Sequence, residues 1–246
     1  MPERVHLISY GDERFAESKR RLEAEARAFG VFDSVSMLGP DDLDEQFRIA
    51  GPPASKAAKG GGYWLWKPRV VVSALEVADA GDVVVYVDAG CTIDPSARRR
   101  FAETRALVRD CKAGLFAYQM HHQELMWTKR ELFDHFGLSF DSREAVSGQI
   151  SASVIWVRKC ERSQAAVRRW AQVASDDPDL FTDDLDPTIQ HESFITHRHD
   201  QSVFSLILKT MGSCGLPDET QGPWLSPDTP IRVSRRRLPG NHPQGG

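Results

Sequence analysis

The sequence predicts an α/β layered fold. Two observations carry that expectation. Short runs of β-branched and aromatic residues alternate with longer amphipathic runs along most of the chain, the order expected of a sheet covered by helices. One run, Asp82-Val83-Val84-Val85-Tyr86-Val87, is nearly all apolar and leads into Asp88-Ala89-Gly90-Cys91. A buried strand there delivers one carboxylate into a turn of small residues, either as a site acid at the strand end where open α/β sheets bind ligands or as a turn cap with Gly90 supplying a positive φ. With 246 residues, 41% of them hydrophobic, the chain can form one large domain with a modest extension.

The elements follow in order. Val5 to Tyr10 reads as a first strand ended by Gly11-Asp12. Phe15 to Phe29 has the apolar spacing of a charged amphipathic helix, stopped by Gly30. Asp33 to Leu38 is a second strand, and Pro40 to Asp44 opens a helical turn with acids at its positive end. Pro52 to Gly62 reads as a loop rich in Gly, Ala and Lys. Lys67-Pro68 leads into a helix over 69–80, since proline favours the first turn. After the strand that ends at Asp88 come a helix at 98–111, a strand at 114–118, a helix at 124–136 stopped by Gly137, a strand at 151–157, a helix at 162–175 and a last clear helix at 199–211. Residues 217–246 are rich in Pro, Gly and Arg and read as a tail wrapping the surface of a single domain, 1–216.

Composition removes several classes of function. A net charge of −4 speaks against a dedicated nucleic-acid binder. No stretch approaches the roughly 18 apolar residues of a membrane span, and Met1 to Arg4 lead straight into the first strand with no secretory signal. Cys91, Cys111, Cys160 and Cys214 are far apart, which suits reduced cysteines in a cytoplasmic protein.

Three further segments carry chemistry-bearing side chains. Gly60-Gly61-Gly62-Tyr63-Trp64-Leu65-Trp66-Lys67-Pro68 joins a pliable loop, flat aromatic faces and a cation at a helix start. Backbone N–H groups in such a loop can approach phosphate, and Trp64 or Trp66 can face a sugar or base; the plainer reading is a hinge followed by core aromatics. His197-Arg198-His199-Asp200-Gln201 opens the last helix, where Asp200 is either a cap or a site carboxylate, and helix starts favour anions. Gln149 to Ser153 brings small polar residues into a strand, suited to a cleft floor or to tight sheet packing. Arg235-Arg236-Arg237 suits a diphosphate clamp or a solvated basic tail, and His121-His122 reads as a polar loop.

These segments, in this order, resemble the GT-A class of nucleotide-sugar glycosyltransferases, and among them bacterial and viral proteins of capsule or surface-glycan synthesis. The resemblance runs through Ser9-Tyr10-Gly11-Asp12, Gly62 to Pro68, Tyr86 to Cys91 and His197 to Ser205, about residues 5 to 210. It implies a Rossmann-like mixed, mainly parallel sheet flanked by helices, and transfer of a sugar from a nucleoside-diphosphate donor to a glycan or glycolipid acceptor. The donor would be a UDP-sugar before others, and the protein cytoplasmic or peripheral to a membrane.

By the same resemblance Ser9, Tyr10 and Asp12 lie near base and ribose. Trp64, Trp66, Lys67, Asp88, Ala89, Gly90, His199 and Arg236 line the donor site. Asp200 and Gln201 stand beside the transferred sugar as the catalytic pair. Asp88 matches the first acid of the DxD motif, which holds Mn2+ or Mg2+ on the diphosphate, with His242 a weaker second ligand. Gly90 occupies the second acid's position, and one carboxylate makes a thin site for a hard cation. No second carboxylate stands out as the base of an inverting reaction, which favours retention. The alternatives are a nucleotidyltransferase on a related fold and a nucleotide-sugar or glycan-binding module without catalysis.

Overall fold

A computed structural model describes residues 3–44 and 59–235. The elements are β1 (Val5–Tyr10), α1 (Ala16–Phe29), β2 (Ser34–Leu38), α2 (Gly60–Tyr63, a single turn), α3 (Lys67–Val77), β3 (Val83–Val87), β4 (Thr92–Ile93), α4 (Arg98–Asp110), β5 (Leu115–Gln123), α5 (Arg130–His135), α6 (Arg143–Val146), β6 (Gly148–Arg158), α7 (Glu161–Asp176), α8 (Asp200–Met211), β7 (Cys214–Pro217) and β8 (Ile231–Arg232). The main sheet has six strands in the order β2-β1-β3-β6-β5-β7. β1 lies parallel to β2 and β3, and β5 lies parallel to β7. Only β6 runs against its neighbours, so the sheet is mixed and mainly parallel, as expected. β4 and β8 form a separate antiparallel ribbon.

The period of two along each strand divides the core. Val83, Val85 and Val87 join Val5, Leu7 and Trp156 under α1 and α4, against Leu22, Phe29 and Phe101. Val84 and Tyr86 join Ile8, Tyr10 and Ile155 on the other face, under α3, α7 and α8. Every side chain from Val83 to Val87 is fully buried, each contributing on the order of 1.5–3 kcal/mol for the larger apolar ones. Alternation puts Asp88 on the same face as Tyr86 and Tyr10, so the carboxylate emerges beside α3 and the start of α8.

Several expectations change. The expected loop from Pro52 to Gly62 ends in the turn α2, and its part at 52–58 lies outside the described residues. Lys67 and Pro68 are inside α3, which begins earlier and ends at Val77. The single helix expected over 124–136 is a 3-10 turn, Glu124–Met126, and the short α5. Lys129 breaks it: its backbone is extended, and its buried Nζ donates to the carbonyls of Asp179, Thr182 and Asp184. β5 runs on to Gln123, so His121 and His122 sit on a strand rather than in a loop.

The expectation of four reduced cysteines is overturned. Cys111 and Cys214 form a disulfide across 103 residues, and Cys91 and Cys160 are free. Cys111 follows α4 and Cys214 opens β7, which the sheet brings to Phe116 on β5. The cysteine usage therefore no longer speaks for a reducing, cytoplasmic setting. No helix among the described residues is long and apolar enough to cross a membrane. The described part of the chain after β7 is tied to the body: Glu219 pairs with Arg100, β8 pairs with β4, and Ser234 Oγ donates to the carbonyl of Gly90.

Candidate functional site

Side chains from α3, β3 and α8 meet at the carboxyl ends of β1 and β3. Lys67 opens α3 with only 3% of its surface exposed. Its Nζ lies 2.7 Å from Asp200 Oδ2 and 3.2 Å from Asp88 Oδ1. The approach to Asp200 is ionic rather than along a hydrogen-bond line, since Oδ2 has no hydrogen-bond partner. Lys67 also donates to the Ala152 carbonyl at 3.3 Å, and Tyr86 Oη donates to Asp88 Oδ1 at 2.7 Å. Asp200 is buried, while the Asp88 side chain is 33% exposed. Two carboxylates thus share one buried ammonium, and the outer one reaches solvent.

This imbalance governs protonation. Burial, Lys67 and then Asp88 act on Asp200; burial and the second acid outweigh the shared ammonium, and its pKa is pushed up to about 6. Burial opposes the charge on Lys67, but Asp200 and Asp88 together hold its pKa above the ordinary value. Burial, then the Asp88 charge, raises the Tyr86 hydroxyl well above its usual range, so it stays a donor.

β6 makes the floor. Because it runs antiparallel, with Val154 opposite Val87, its residues 151–153 continue beyond the end of β3. Asp88 N donates to the Ser153 carbonyl, and Ala152 N donates to Gln201 Oε1 at 3.2 Å. Gln201 Nε2 donates to Gln149 Oε1 at 2.6 Å and approaches Met120 Sδ at 3.6 Å. Gln149 Nε2 in turn donates to Glu124 Oε1 at 2.8 Å, which fixes which end of each amide is which.

The wall before α3 is strained. Gly60, Gly61, Gly62, Tyr63 and Trp64 all have positive φ. At Gly60 a Cβ would lie 2.4 Å from the Trp64 ring, so a side chain there is excluded. Trp66 stacks on Tyr10 at 3.9 Å, and its Nε1 donates to the Gly60 carbonyl. Trp64 stacks on His199 at 5.4 Å, and His199 too has a positive φ, 53°. Tyr63, Trp64 and His199 are thus held in unfavourable backbone states beside the acids, which is where folds tend to store strain.

The two histidines of the segment before α8 are neutral anchors. Burial holds His199 down to about 4, and its Nδ1–H donates to the Phe181 carbonyl at 2.8 Å. Burial pushes His197 well below its usual value; its Nε2–H donates to Leu180 O, and its Nδ1 accepts from Lys129 N.

The sequence-predicted residues fall into groups. Lys67, Asp88 and Asp200 meet directly, with Gln201 one residue on and Trp66 flanking Lys67, whose Nζ lies 5.9 Å from the Trp66 ring. Ala89 and Gly90 form the turn after β3, their carbonyls held by Arg21 and Ser234. Ser9 is fully buried and its Oγ has no hydrogen-bond partner. Asp12 caps the turn before α1 and pairs with Arg14, near Gly61. His199 is buried, with its ring against Trp64 and its Nδ1 bonded to the Phe181 carbonyl. Arg236 and His242 lie outside the described residues.

Tyr86 was missed as a site residue, although its place two before Asp88 on a strand signals a shared face. Gln149 was seen only as part of a cleft floor.

The expected divalent cation can be tested on this donor set. Among the described residues no group of three His, Cys, Asp or Glu converges. Asp88 Oδ1 is already engaged by Lys67 and Tyr86. Among the described residues the side chains alone therefore offer a cation few ligands, and Lys67 is the fixed positive charge between the acids.

No protein-family model matches the chain, and no curated protein matches it. Several solved structures of similar chain path are glycosyltransferases. One is involved in glycosylation of the major capsid of PBCV-1, at 9% identity and a TM-score of 0.45, covering 89% of this chain and 85% of that one. Mouse xyloside xylosyltransferase 1 is similar at 12% identity and a TM-score of 0.46, covering 88% and 86%. The galactosyltransferase LgtC, solved with donor and acceptor sugar analogues, is similar at 13% identity and a TM-score of 0.39, covering 80% and 68%.

Proposed function

We propose that this protein is a glycosyltransferase that moves a sugar from a nucleoside-diphosphate donor, a UDP-sugar first among them, to a glycan acceptor of polysaccharide synthesis. The observation that carries the reading is the Lys67 ammonium lodged between Asp88 and Asp200 at the carboxyl ends of β1 and β3. That is the ligand-binding edge of an open α/β sheet.

Asp88 has an oxygen left over from Lys67 and Tyr86, and it is the more exposed acid, so it meets the donor. Asp200 is deeper. As a carboxylate it stabilises the positive charge that develops at the anomeric carbon when the bond to the diphosphate breaks. Gln201 exchanges its weak contact with Met120 Sδ for the sugar, which it orients, while keeping its bond to Gln149. Tyr10 and Trp66, buried and stacked on each other, back the site, and the half-buried Trp64 gives the flat face for base or sugar. The Asp200–Gln201 pair beside Asp88 speaks for catalysis rather than binding alone, and with no further acid in the cluster, for retention.

A crystal soaked with UDP and manganese tests the reading. The diphosphate is expected between the Asp88 turn and the start of α8, with the density beside Asp88 showing whether a cation comes with the nucleotide. UDP bound at another edge of the sheet, or nowhere, would sink it.

A further inference from the structure

Trp224 is the one exposed tryptophan of the six, with 44% of its surface open. It is firmly held. It ends a 3-10 turn, Gly222–Trp224, closed by Leu225 N on the Gly222 carbonyl and by Ser226 N on the Glu219 carbonyl. At the root of the turn, the buried Asp218 accepts from Thr220 Oγ1 and Gln221 Nε2, and its N–H donates to the Gln119 carbonyl at 2.7 Å.

A lone exposed ring needs no explanation, but this one belongs to a row. It stacks on the exposed His121 at 4.1 Å and meets His122 edge-on at 6.1 Å. His122 meets Trp127 at 5.4 Å, and Trp127 carries the Arg198 guanidinium at 4.0 Å. Arg198 lies two residues before Asp200, and Met120, next to His121, touches Gln201 Nε2 at 3.6 Å. The row thus leads from the turn after β7 to the acid cluster, over the reach of a short oligosaccharide.

The sheet explains its place. β7 pairs with β5 only as far as Gln119, and beyond that residue the ladder to β6 is irregular. The last residues of β5 therefore run past the edge of β7, and the returning chain sets the Trp224 turn against them. Gln119 and Gln123 are exposed on either side of His121, so amides stand between the rings. Sugars match this chemistry. One face of a pyranose is lined by C–H groups and rests on a flat ring, while its hydroxyls bond outward to amides and imidazoles. A protein partner would instead ask for a continuous apolar centre.

We propose that Trp224, His121 and His122 form a platform for a neutral oligosaccharide, the inner sugars of the acceptor, whose terminal sugar passes Trp127 toward Gln201 and Asp200. Naming the oligosaccharide an acceptor rests on the transfer reading; its binding by the rings does not.

An array of immobilised neutral oligosaccharides, probed with the full chain, tests the proposal, followed by titration calorimetry of the best-bound one. The variants are W224A, W224F and H121A, all at exposed positions, with circular dichroism to check folding. W224A is expected to weaken that oligosaccharide about tenfold or more, the scale of one aromatic anchor. W224F, which keeps a smaller flat face, and H121A should lose less. In a chain labelled with fluorotryptophan, the oligosaccharide should shift the fluorine resonance that W224F removes.

No oligosaccharide bound by wild type, or equal binding by wild type and W224A, overturns the proposal. So does a wild-type dimer that W224A dissolves while no glycan binds, which makes the rings an interface between copies. Glycan binding that depends on Trp224, in a chain that turns over no nucleotide sugar, upholds the platform and sinks the transfer reading. Donor turnover with no glycan bound does the reverse.

Discussion

Two buried ionic clusters lie along α8, and they are built differently. Near its carboxyl half, Glu124 is fully buried and accepts from Thr128 Oγ1, Gln149 Nε2, Ser205 Oγ and Lys209 Nζ. Lys209 spends its remaining protons on the carbonyls of Glu144 and Ser147. One acid meets one base, and all is satisfied. At the amino end, Lys67 faces two acids, Asp200 Oδ2 lacks an aligned donor, and Asp88 opens to solvent. A balanced, closed cluster ties elements together. An unbalanced, open one has chemistry left to do. The strained Trp64 and His199 sit at the second cluster, which fits the same division.

The comparison breaks most plainly at the two lysines. K67M and K209M should each cost about 3–5 kcal/mol in denaturant unfolding, because each leaves buried carboxylate unpaired. Only K67M should also abolish nucleotide binding in calorimetry; equal binding by the two folded variants would erase the distinction. D200N comes next, with turnover falling about 10²–10³-fold, the value of one electrostatic contact to the transition state. Its fold should survive.

The pH dependence is smaller and has a definite sign. Asp200 titrates at about 6 in the folded chain against an ordinary 3.8. The proton it holds stabilises the fold fully below about pH 4, and that contribution is lost as pH rises to about 6. Wild type should lose about 2–3 kcal/mol across that window from this group, and D200N should flatten the curve. An equally steep curve for D200N would place the titration elsewhere. Turnover should rise through the same range as the carboxylate ionises.

The smallest effect joins the two clusters. Gln149 bonds Glu124 on one side and Gln201 on the other, so Q149A should lower kcat about tenfold with little change in UDP affinity. A change in affinity alone would make Gln149 structural.

Much of the fold was legible. The unbroken apolar run marked β3, and Gly30, with φ 64°, stops α1 at the expected place. What was missed came from long range. Lys129 is captured by carbonyls 50 to 55 residues away, which cuts an apparent helix in two. The partners of the disulfide are 103 residues apart, joined only because β7 lands beside β5. In the site, Asp88 and Asp200 stood out through their neighbours. The sharing of one lysine between them did not, since it needs α3 to begin two residues before the expected start, with Lys67 facing the sheet.

Hydrolysis of a nucleotide-sugar panel by wild type, D200N and E124Q, with and without manganese, tests the central claim most directly. At least one donor should be turned over by wild type, by E124Q to the extent that it folds, and about a hundredfold or more slowly by D200N. No turnover of any donor by a well-folded wild type, or undiminished turnover by D200N, would contradict it.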